Sequence, residues 1–202
     1  MHWQRLDRDD TLKAINSVQS DENAGLISPT SSEVQRARVS FYKDHYIYKI
    51  TSFASLPSFS FQFLSDGTFF HYLDGTEAPI HTVNDKGALI LEMNTVSDYL
   101  TFYFSQVEFE DGDVTVITNP HDMPLLDSLG PAAYDAVFNH HQAPTINYDG
   151  GFDRFEIETD LYLESHMVRA KIYVTSKGRV DIIEQKSNMH QVMKTPGAEQ
   201  FM

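Results

Sequence analysis

The chain has no cysteine among its 202 residues. Disulfide bonds, thiolate nucleophiles and cysteine-ligated metal centres are therefore excluded within it. No apolar run approaches the roughly 18 residues of a membrane-spanning helix. The charged stretch Met1–Asp10 also lacks the apolar centre of a secretory signal. These absences predict a soluble cytoplasmic protein.

Positive charge is scarce as well. Fifteen Lys and Arg stand against 29 Asp and Glu, which gives a formal net charge of −14. Such a surface repels nucleic-acid phosphates and anionic membranes, so we expect neither nucleic acid nor membrane as a partner. The apolar content of 41% is that of a chain able to build a packed core.

Catalytic sequence motifs are missing. We find no Gly-rich phosphate loop, no Gly-x-Ser-x-Gly elbow and no His-Glu-x-x-His pair. The acidic run Glu108–Asp113 fails as a calcium loop, because placing Gly112 sixth puts Val107 and Phe109 at ligand positions. We interpret this run as a solvated turn. The sequence therefore assigns no catalytic, cofactor or metal residue, and it favours a non-enzymatic protein.

Aromatic residues, in contrast, are abundant and concentrate at positions 59–83. Phe- and Tyr-rich runs meet at Asp66-Gly67, and a second Asp-Gly pair follows at 74–75. Asp-Gly between apolar runs is a strong hairpin signal, because a two-residue type I′ turn needs positive φ at both central residues. The stretch predicts a β-meander. Its third strand, Glu77–Val83, is expected at an edge because Pro79 cannot donate to a ladder.

A two-residue loop at Asp66-Gly67 fixes the expected register of this meander. The predicted pairs are Leu64–Phe69, Phe63–Phe70, Gln62–His71 and Phe61–Tyr72. Side chains alternate along a strand, so Phe61, Phe63, Phe70 and Tyr72 are predicted to share one face. Aromatic pairs of this kind contribute roughly 0.2–1 kcal/mol each.

The strongest helical pattern spans residues 94–107. Its apolar side chains recur at the spacing of a single helix face. Asn94 suits the N-cap, and Asp98 falls in the first turn, where negative charge is favourable. We expect the aromatic stripe of this helix to pack on the meander. The stripe consists of Val96, Tyr99, Leu100, Tyr103, Phe104 and Val107.

Weaker patterns predict the other elements. They are a helix at 3–19, a connector at 20–32, a helical turn or strand lead at 33–38, a strand at 40–53, a strand at 114–118, a loop at 120–124 and a helix at 128–139 that starts near Pro131. From Phe155 to Glu184, apolar and polar residues alternate as in an antiparallel sheet. A loop at Glu164–Met167 is expected to set Asp160 opposite Lys171.

We therefore predict an α+β fold with three parts. Residues 1–38 form an N-terminal helix and connector. Residues 39–186 form a single domain, in which an antiparallel β-meander is packed by an amphipathic helix and followed by a C-terminal antiparallel three-strand segment. Residues 187–202 form a tail.

The nine histidines raise the question of metal binding or general base catalysis. His140 and His141 could bind one metal ion together with His121 or Asp122, provided that the loops carrying them meet. Such a site would suit metal-dependent hydrolysis. The alternative is a polar helix end, where His also interacts favourably with the helix dipole.

Two further histidines, His71 and His81, lie in the predicted meander. Placed beside Gln62, His71 fits either a hydrogen-bonded pair in a ligand pocket or a semi-buried residue satisfied by its neighbour.

Glu156 and Glu158 are expected on one face of a strand, at a spacing that acid–base chemistry can use. The competing interpretation is a row of surface ion pairs, including Asp160 with Lys171, each of which contributes little. The aromatic face of the meander suits base stacking in shape, but no Lys or Arg is interleaved with it. We interpret that face as core or as a protein interface.

The chain resembles a family of bacterial hypothetical proteins between about Tyr48 and Ile117. The resemblance is carried by the segments Tyr48–Pro57, Phe63–Tyr72, Leu73–Thr76 and Pro79–Asn84 and by the aromatic helix near Asn94. The family has no assigned activity. The resemblance therefore implies a bacterial source and a single domain, and it transfers no functional residue.

Two functions remain open at this level. The first is a non-enzymatic binding or assembly module that contacts a protein partner or a second copy of itself. The alternative is a small-molecule-binding protein or enzyme with a pocket between sheet and helix, lined by Tyr48, Tyr72, His71 or Tyr103.

Overall fold

The computed structural model describes residues 2–18, 26–110, 112–164 and 166–187. The chain divides into two compact units, Met1–Tyr99 and Leu100–Met202. Each unit contains an antiparallel sheet accompanied by helices. The expected α+β fold with antiparallel sheets is therefore confirmed. The predicted tail lies outside the described residues from position 188 onward.

The first unit contains a five-stranded antiparallel sheet whose strands follow one another in chain order. They are β1 (Trp3–Arg5), β2 (Ser32–Arg38), β3 (Tyr46–Ser52), β4 (Phe59–Ser65) and β5 (Phe70–Tyr72). Of the two alternatives for residues 33–38, the strand is the one formed. Strand β2 pairs along its whole length with β3.

The predicted N-terminal helix is shorter than expected. Residues 3–5 are strand β1, in which Trp3 pairs with Ala37 of β2. Helix α1 spans only Arg8–Val18. It begins there because the Asp7 side chain accepts a hydrogen bond from the Asp10 N–H at 2.9 Å, which satisfies a free donor of the first turn.

The β4–β5 hairpin has a wider loop than predicted. Phe63 pairs with Tyr72 and Ser65 with Phe70, which leaves four residues, 66–69, in the loop. The register differs from the predicted one by two residues. Because side chains alternate with a period of two, the predicted faces are unchanged.

The chemistry of Asp66 explains the wider loop. Its carboxylate accepts hydrogen bonds from the backbone N–H groups of Thr68 at 2.8 Å and Phe69 at 2.9 Å. Gly67 has a φ of 91°, whereas Asp66 is not in the left-handed region. A type I′ turn needs both residues there, so the two-residue loop does not form.

The predicted third strand of the meander is wrong. Residues Ala78–Asn84 form helix α2. Pro79 lies in the first turn of this helix. Backbone N–H groups there make no intrahelical hydrogen bond, so proline is tolerated although it lacks an N–H. Ile80 and Val83 are both buried, and their spacing of three fits a helix face. The sheet extends instead through β2 and β1 on its other side.

The aromatic face of the first sheet is part of the core. Phe61 and Phe63 belong to a buried cluster with Ile15 and Val18 of α1. The ring centroids of Phe63 and Tyr72 are 5.5 Å apart. These rings therefore contribute to cohesion, as one of the two interpretations predicted. The docking of the 94–107 helix on the meander stays a prediction.

That helix, α3, spans Val96–Gln106. It begins two residues after the predicted Asn94. Asp98 lies in its first turn, as expected. Val96, Tyr99 and Leu100 are fully buried, which confirms the first part of the predicted stripe. Phe102 is also fully buried, although the predicted stripe omits it.

The second unit contains a sheet in the order β10-β9-β8-β6, with β7 also paired to β8. Its strands are β6 (Thr115–Ile117), β7 (Thr145–Asp149), β8 (Arg154–Leu163), β9 (His166–Thr175) and β10 (Val180–Ser187). The C-terminal three-strand segment is confirmed as β8–β10. Strands β6 and β7 share one edge of β8, one after the other along its length.

A helical layer accompanies this sheet. Helix α4 spans Pro131–His140, so the predicted start near Pro131 is confirmed. Two short 3₁₀ turns precede it, at Pro120–Asp122 and Leu126–Ser128. Val137 of α4 is packed in a buried cluster with Met167 of β9.

Candidate functional site

Strand β8 carries a buried carboxylate that the sequence placed at the surface. Asp160 is fully buried and faces Arg169 of β9, whereas Lys171 faces Glu158. The predicted Asp160–Lys171 pair is therefore wrong. The β8–β9 turn is shorter than the expected loop, because Leu163 pairs directly with His166.

Three groups surround the Asp160 carboxylate. Nη1 of Arg169 donates a hydrogen bond to Oδ1 at 3.3 Å, and the backbone N–H of Gln142 donates one to Oδ2 at 2.9 Å. Nδ1 of His141 lies 2.9 Å from Oδ2 but is poorly aligned for a hydrogen bond. That contact is therefore electrostatic, and it is attractive when the imidazole is protonated.

The same arginine also holds the chain that leaves α4. Its two terminal nitrogens donate hydrogen bonds to the carbonyl oxygens of Gln142 at 2.8 Å and Ala143 at 3.3 Å. Those carbonyls follow the helix end, where backbone acceptors lack helical partners. Asp160 and Arg169 thus attach the end of α4 to the sheet. The arrangement stabilises the fold, and it presents no nucleophile with an adjacent base.

The predicted metal ligands are separated in the structure. The ring of His121 packs edge-on against Phe138, with centroids 5.1 Å apart. His141 faces Asp160, while His140 is exposed at the end of α4. Within the described ranges, no three His, Asp or Glu residues are grouped to hold a metal ion.

The predicted glutamate pair lies on a charged face of the second sheet. Glu156 is 2.9 Å from Nη2 of Arg154 and 3.4 Å from Nζ of Lys171. The guanidinium of Arg154 also stacks over the Tyr173 ring at 3.7 Å. This network fits the ion-pair interpretation, because Glu156 is held between two cations rather than beside a reactive group.

A shallow depression lies on the same sheet and measures about 40 Å³. Its lining residues are Glu158, Arg169, Ala170, Lys171 and Glu184. The volume is that of a water molecule or a single small ion, well below the several hundred Å³ of an ordinary ligand pocket. The depression does not support small-molecule catalysis.

The predicted pocket residues of the first unit do not form a pocket together. Tyr48 packs against Phe70 with ring centroids 4.9 Å apart, and Tyr72 packs against Phe63. His71 follows directly before Tyr72 in β5, so the two side chains point to opposite faces of the sheet.

His71 and His81 have separate surroundings. His71 pairs with Leu64 in the sheet, not with Gln62, and its Nε2 lies 3.1 Å from Nζ of Lys86. His81 is buried in α2, with its Nε2 3.2 Å from the Glu77 carboxylate. The Gln62–His71 pair is therefore wrong.

A buried polar chain lies near α2. The hydroxyl of Tyr42 donates a hydrogen bond to Oδ1 of Asn84 at 2.6 Å, and Nδ2 of Asn84 donates one to the Tyr99 hydroxyl at 3.1 Å. Burial raises the pKa of the Tyr42 phenol far above its ordinary value, and the nearby Tyr99 raises it further. The phenol stays neutral, which suits structural support rather than base catalysis.

The feature best placed to meet a partner is the tip of the β3–β4 hairpin. Leu56 is 98% exposed and Phe53 is 60% exposed. Leu26, 56% exposed, lies at the base of this hairpin, since its carbonyl accepts a hydrogen bond from the Ser52 hydroxyl at 3.1 Å. Ile27, the next residue of the predicted connector at 20–32, is buried.

The hairpin tip is also free of charge. No charged residue occurs from Ile50 to Ser65, although the chain as a whole has a net charge of −14. Exposed apolar side chains grouped in such a segment are typical of interaction surfaces. Residues 54–57 lie between the strand predicted at 40–53 and the meander predicted at 59–83, and the sequence predicted no element for them.

Comparison with protein-family models, with curated proteins and with solved structures finds no match to this chain. The resemblance to bacterial hypothetical proteins stays a prediction. No helix among the described residues has the length and apolarity needed to cross a membrane. We therefore infer the function from the fold and the exposed surface.

Proposed function

We propose that this protein is a non-enzymatic binding or assembly module whose partner is a protein. The supporting observation is the charge-free hairpin tip that exposes Phe53 and Leu56. Burying two such side chains contributes roughly 1.5–3 kcal/mol each, whereas leaving them in water gives the isolated chain nothing. The bacterial source and cytoplasmic location expected from the sequence belong to this proposal.

The alternative of a ligand pocket between sheet and helix lacks a comparable observation. Tyr48 and Tyr72, two of its expected lining residues, are packed among the aromatic rings of the core. A protein contact needs only the exposed tip, and the tip requires no rearrangement of the core. We therefore advance the binding module alone.

The experiment compares the wild-type chain with a Phe53→Asp/Leu56→Asp variant. Both chains are tested for self-association by sedimentation velocity over a range of concentrations, and for capture of proteins from an extract of the producing cells. A captured protein is then purified and titrated by calorimetry. We expect a specific complex that the double variant loses.

Leu125→Asp is the matched control, because Leu125 is 71% exposed and belongs to the other unit. This variant should bind as the wild type does. The proposal is wrong if the wild-type chain neither self-associates nor retains a partner in calorimetry. It is equally wrong about the surface if all three chains bind alike.

A further inference from the structure

Two chain segments meet at the end of the first sheet where β3 turns into β4. They are residues 26–32, which lead into β2, and residues 51–60, which contain the β3–β4 turn. The Phe53 N–H donates a hydrogen bond to the Ser31 carbonyl at 2.7 Å, which holds the two segments side by side. We name the surface formed by these two segments the hydroxyl end.

The hydroxyl end is uniform in its polar chemistry. Its polar side chains are all Ser or Thr, nine in number, and none of its residues is charged. Of the nine, only Ser52 is buried. A hydroxyl group both donates and accepts hydrogen bonds, whereas an ammonium group only donates and a carboxylate only accepts. A surface whose polar groups are all hydroxyls is therefore complementary to itself.

Hydroxyl pairing already occurs within one chain. The hydroxyl oxygens of Thr51 and Ser60 lie 2.8 Å apart between β3 and β4, and those of Ser28 and Ser31 lie 2.7 Å apart. Either oxygen of each pair can be the donor. A hydroxyl oxygen that takes part in one such bond keeps capacity to accept another. Hydroxyls of a second molecule can therefore extend these pairs.

Apolar side chains accompany the hydroxyls. Leu26, Phe53 and Leu56 are all exposed, and Leu56 is almost entirely so. Together they expose on the order of a few hundred Å², the size of the largest apolar patch on a typical monomer. A standard protein interface buries about 800 Å² on each partner. A contact made here is therefore small, and we expect it to be weak and dependent on concentration.

Charge favours a second copy as the protein that meets this surface. The chain has a net charge of −14, so two copies repel each other wherever their acidic surfaces come together. A contact through the hydroxyl end brings only uncharged side chains together. A basic protein, which the acidic chain attracts elsewhere, finds no ion-pair partner among these residues.

We propose that two copies of this chain associate through their hydroxyl ends in a twofold symmetric dimer. Ala54, which lies between Phe53 and Leu56, is close to the axis. In such an isologous contact the same surface of each copy meets itself, which is the arrangement that hydroxyl groups allow and single charges oppose. This inference rests on the proposed binding function and names the partner.

Two other occupants fit less well. Anionic lipid headgroups are held by Lys and Arg, and the hydroxyl end has neither. An unrelated protein is usually selected through complementary charges at the edge of the contact, and this surface offers none. A second copy needs no such selection, because its surface is the same.

The test introduces charge at the proposed axis of the full chain. Ala54 is exposed and its methyl group makes no hydrogen bond, so Ala54→Lys and Ala54→Asp should both fold, as circular dichroism checks. In a dimer of either variant, two like charges face each other, and self-association should weaken about tenfold or more. In an equimolar mixture, Lys of one copy faces Asp of the other, and self-association should recover. Sedimentation velocity over a range of concentrations measures all four samples.

Leu125→Lys and Leu125→Asp are the matched controls, because Leu125 is exposed and belongs to the other unit. Alone and mixed, they should self-associate as the wild type does. Added salt should strengthen the wild-type dimer, because it screens the repulsion between two acidic chains. If an Ala54 variant fails to fold, the same pair of substitutions at Ser58, which is also exposed, repeats the test.

Three results would overturn the dimer. They are a wild-type chain that stays monomeric at every concentration, self-association that is unchanged in both Ala54 variants, and an equimolar mixture that associates no better than either variant alone.

The dimer and the broader binding function can fail separately. If the chain is monomeric but retains another protein in calorimetry, and Phe53→Asp/Leu56→Asp loses that protein, the binding function stands and the dimer is wrong. If a monomeric chain instead cosediments with neutral phosphatidylcholine vesicles, the hydroxyl end belongs to a lipid surface and the dimer is again wrong. A chain that binds neither itself nor a protein contradicts both proposals.

Discussion

Arg169 of β9 neutralises Asp160 of β8 where both side chains are withdrawn from water. The carboxylate has no exposed surface, and the guanidinium side chain is only 11% exposed. Removing one member of a buried pair leaves the other charge without compensation, which is far more destabilising than losing an exposed pair.

We therefore expect Arg169→Met to lower the free energy of unfolding by about 3–5 kcal/mol. The matched control is Lys171→Met, which breaks the half-exposed pair with Glu156 and should cost at most about 1 kcal/mol. Urea unfolding followed by circular dichroism measures both. Similar values for the two variants would show that Asp160 is not desolvated as the structure indicates.

The aromatic side chains of the first sheet divide into a buried set and an exposed set. Phe63→Ala removes a ring with 1% exposure from the cluster under α1 and should cost about 3–5 kcal/mol. Phe53→Ala acts on the exposed tip and should change stability by less than about 0.5 kcal/mol. Thermal and urea unfolding of the two variants test this contrast. A large loss for Phe53→Ala would mean that the tip serves the fold rather than a partner.

Sequence patterns predicted the sheet face on which a residue lies better than they predicted its cross-strand partner. The β4–β5 and β8–β9 registers were each wrong by two residues, but an even shift preserves the alternation, so each residue kept its predicted side of the sheet. Asp66 decided the first shift through its side-chain hydrogen bonds. An Asp-Gly pair in the sequence does not show whether the Asp side chain will make such hydrogen bonds. It therefore cannot predict the loop length and register by itself.

Other features depend on contacts between distant segments. Asp160 alternates with apolar residues, a pattern that predicts an exposed side chain. In the structure, the end of α4 and Arg169 cover its carboxylate. Pro79 is compatible with both an edge strand and a first helical turn, and burial of Ile80 and Val83 selected the helix.

The buried phenol of Tyr42 makes stability depend on alkaline pH. Its pKa in the folded chain is raised by burial, so the unfolded state loses this proton first as the pH rises above about 10. The folded state then binds more protons than the unfolded state, and the free energy of unfolding falls with rising pH. Tyr42→Phe should make this alkaline decline shallower in urea unfolding between pH 9 and about pH 11. An unchanged slope would show that Tyr42 ionises normally.

The half-buried imidazole of His45 should make the stability of the fold depend on pH on the acidic side of neutrality. Burial lowers its pKa, the nearby Lys86 lowers it further, and the carboxylates of Asp66 and Asp44 oppose the shift only in part. The unfolded state therefore binds a proton more readily as the pH falls below about 6.5. Stability contributed by the neutral imidazole is present above that pH and is lost as the solution becomes more acidic.

We expect His45→Gln to flatten this acid-side decline, because glutamine keeps polar atoms but does not titrate. Urea unfolding of both chains at several values between about pH 5 and pH 8 gives the two slopes. Asp66 titrates near the same loop, but its pKa lies below the ordinary range: burial raises it, and the N–H groups of Phe69 and Thr68 outweigh that effect. A carboxylate held in that way stays ionised in this interval. A slope that is unchanged in His45→Gln would therefore come from other titrating groups, and the role given to His45 would be wrong.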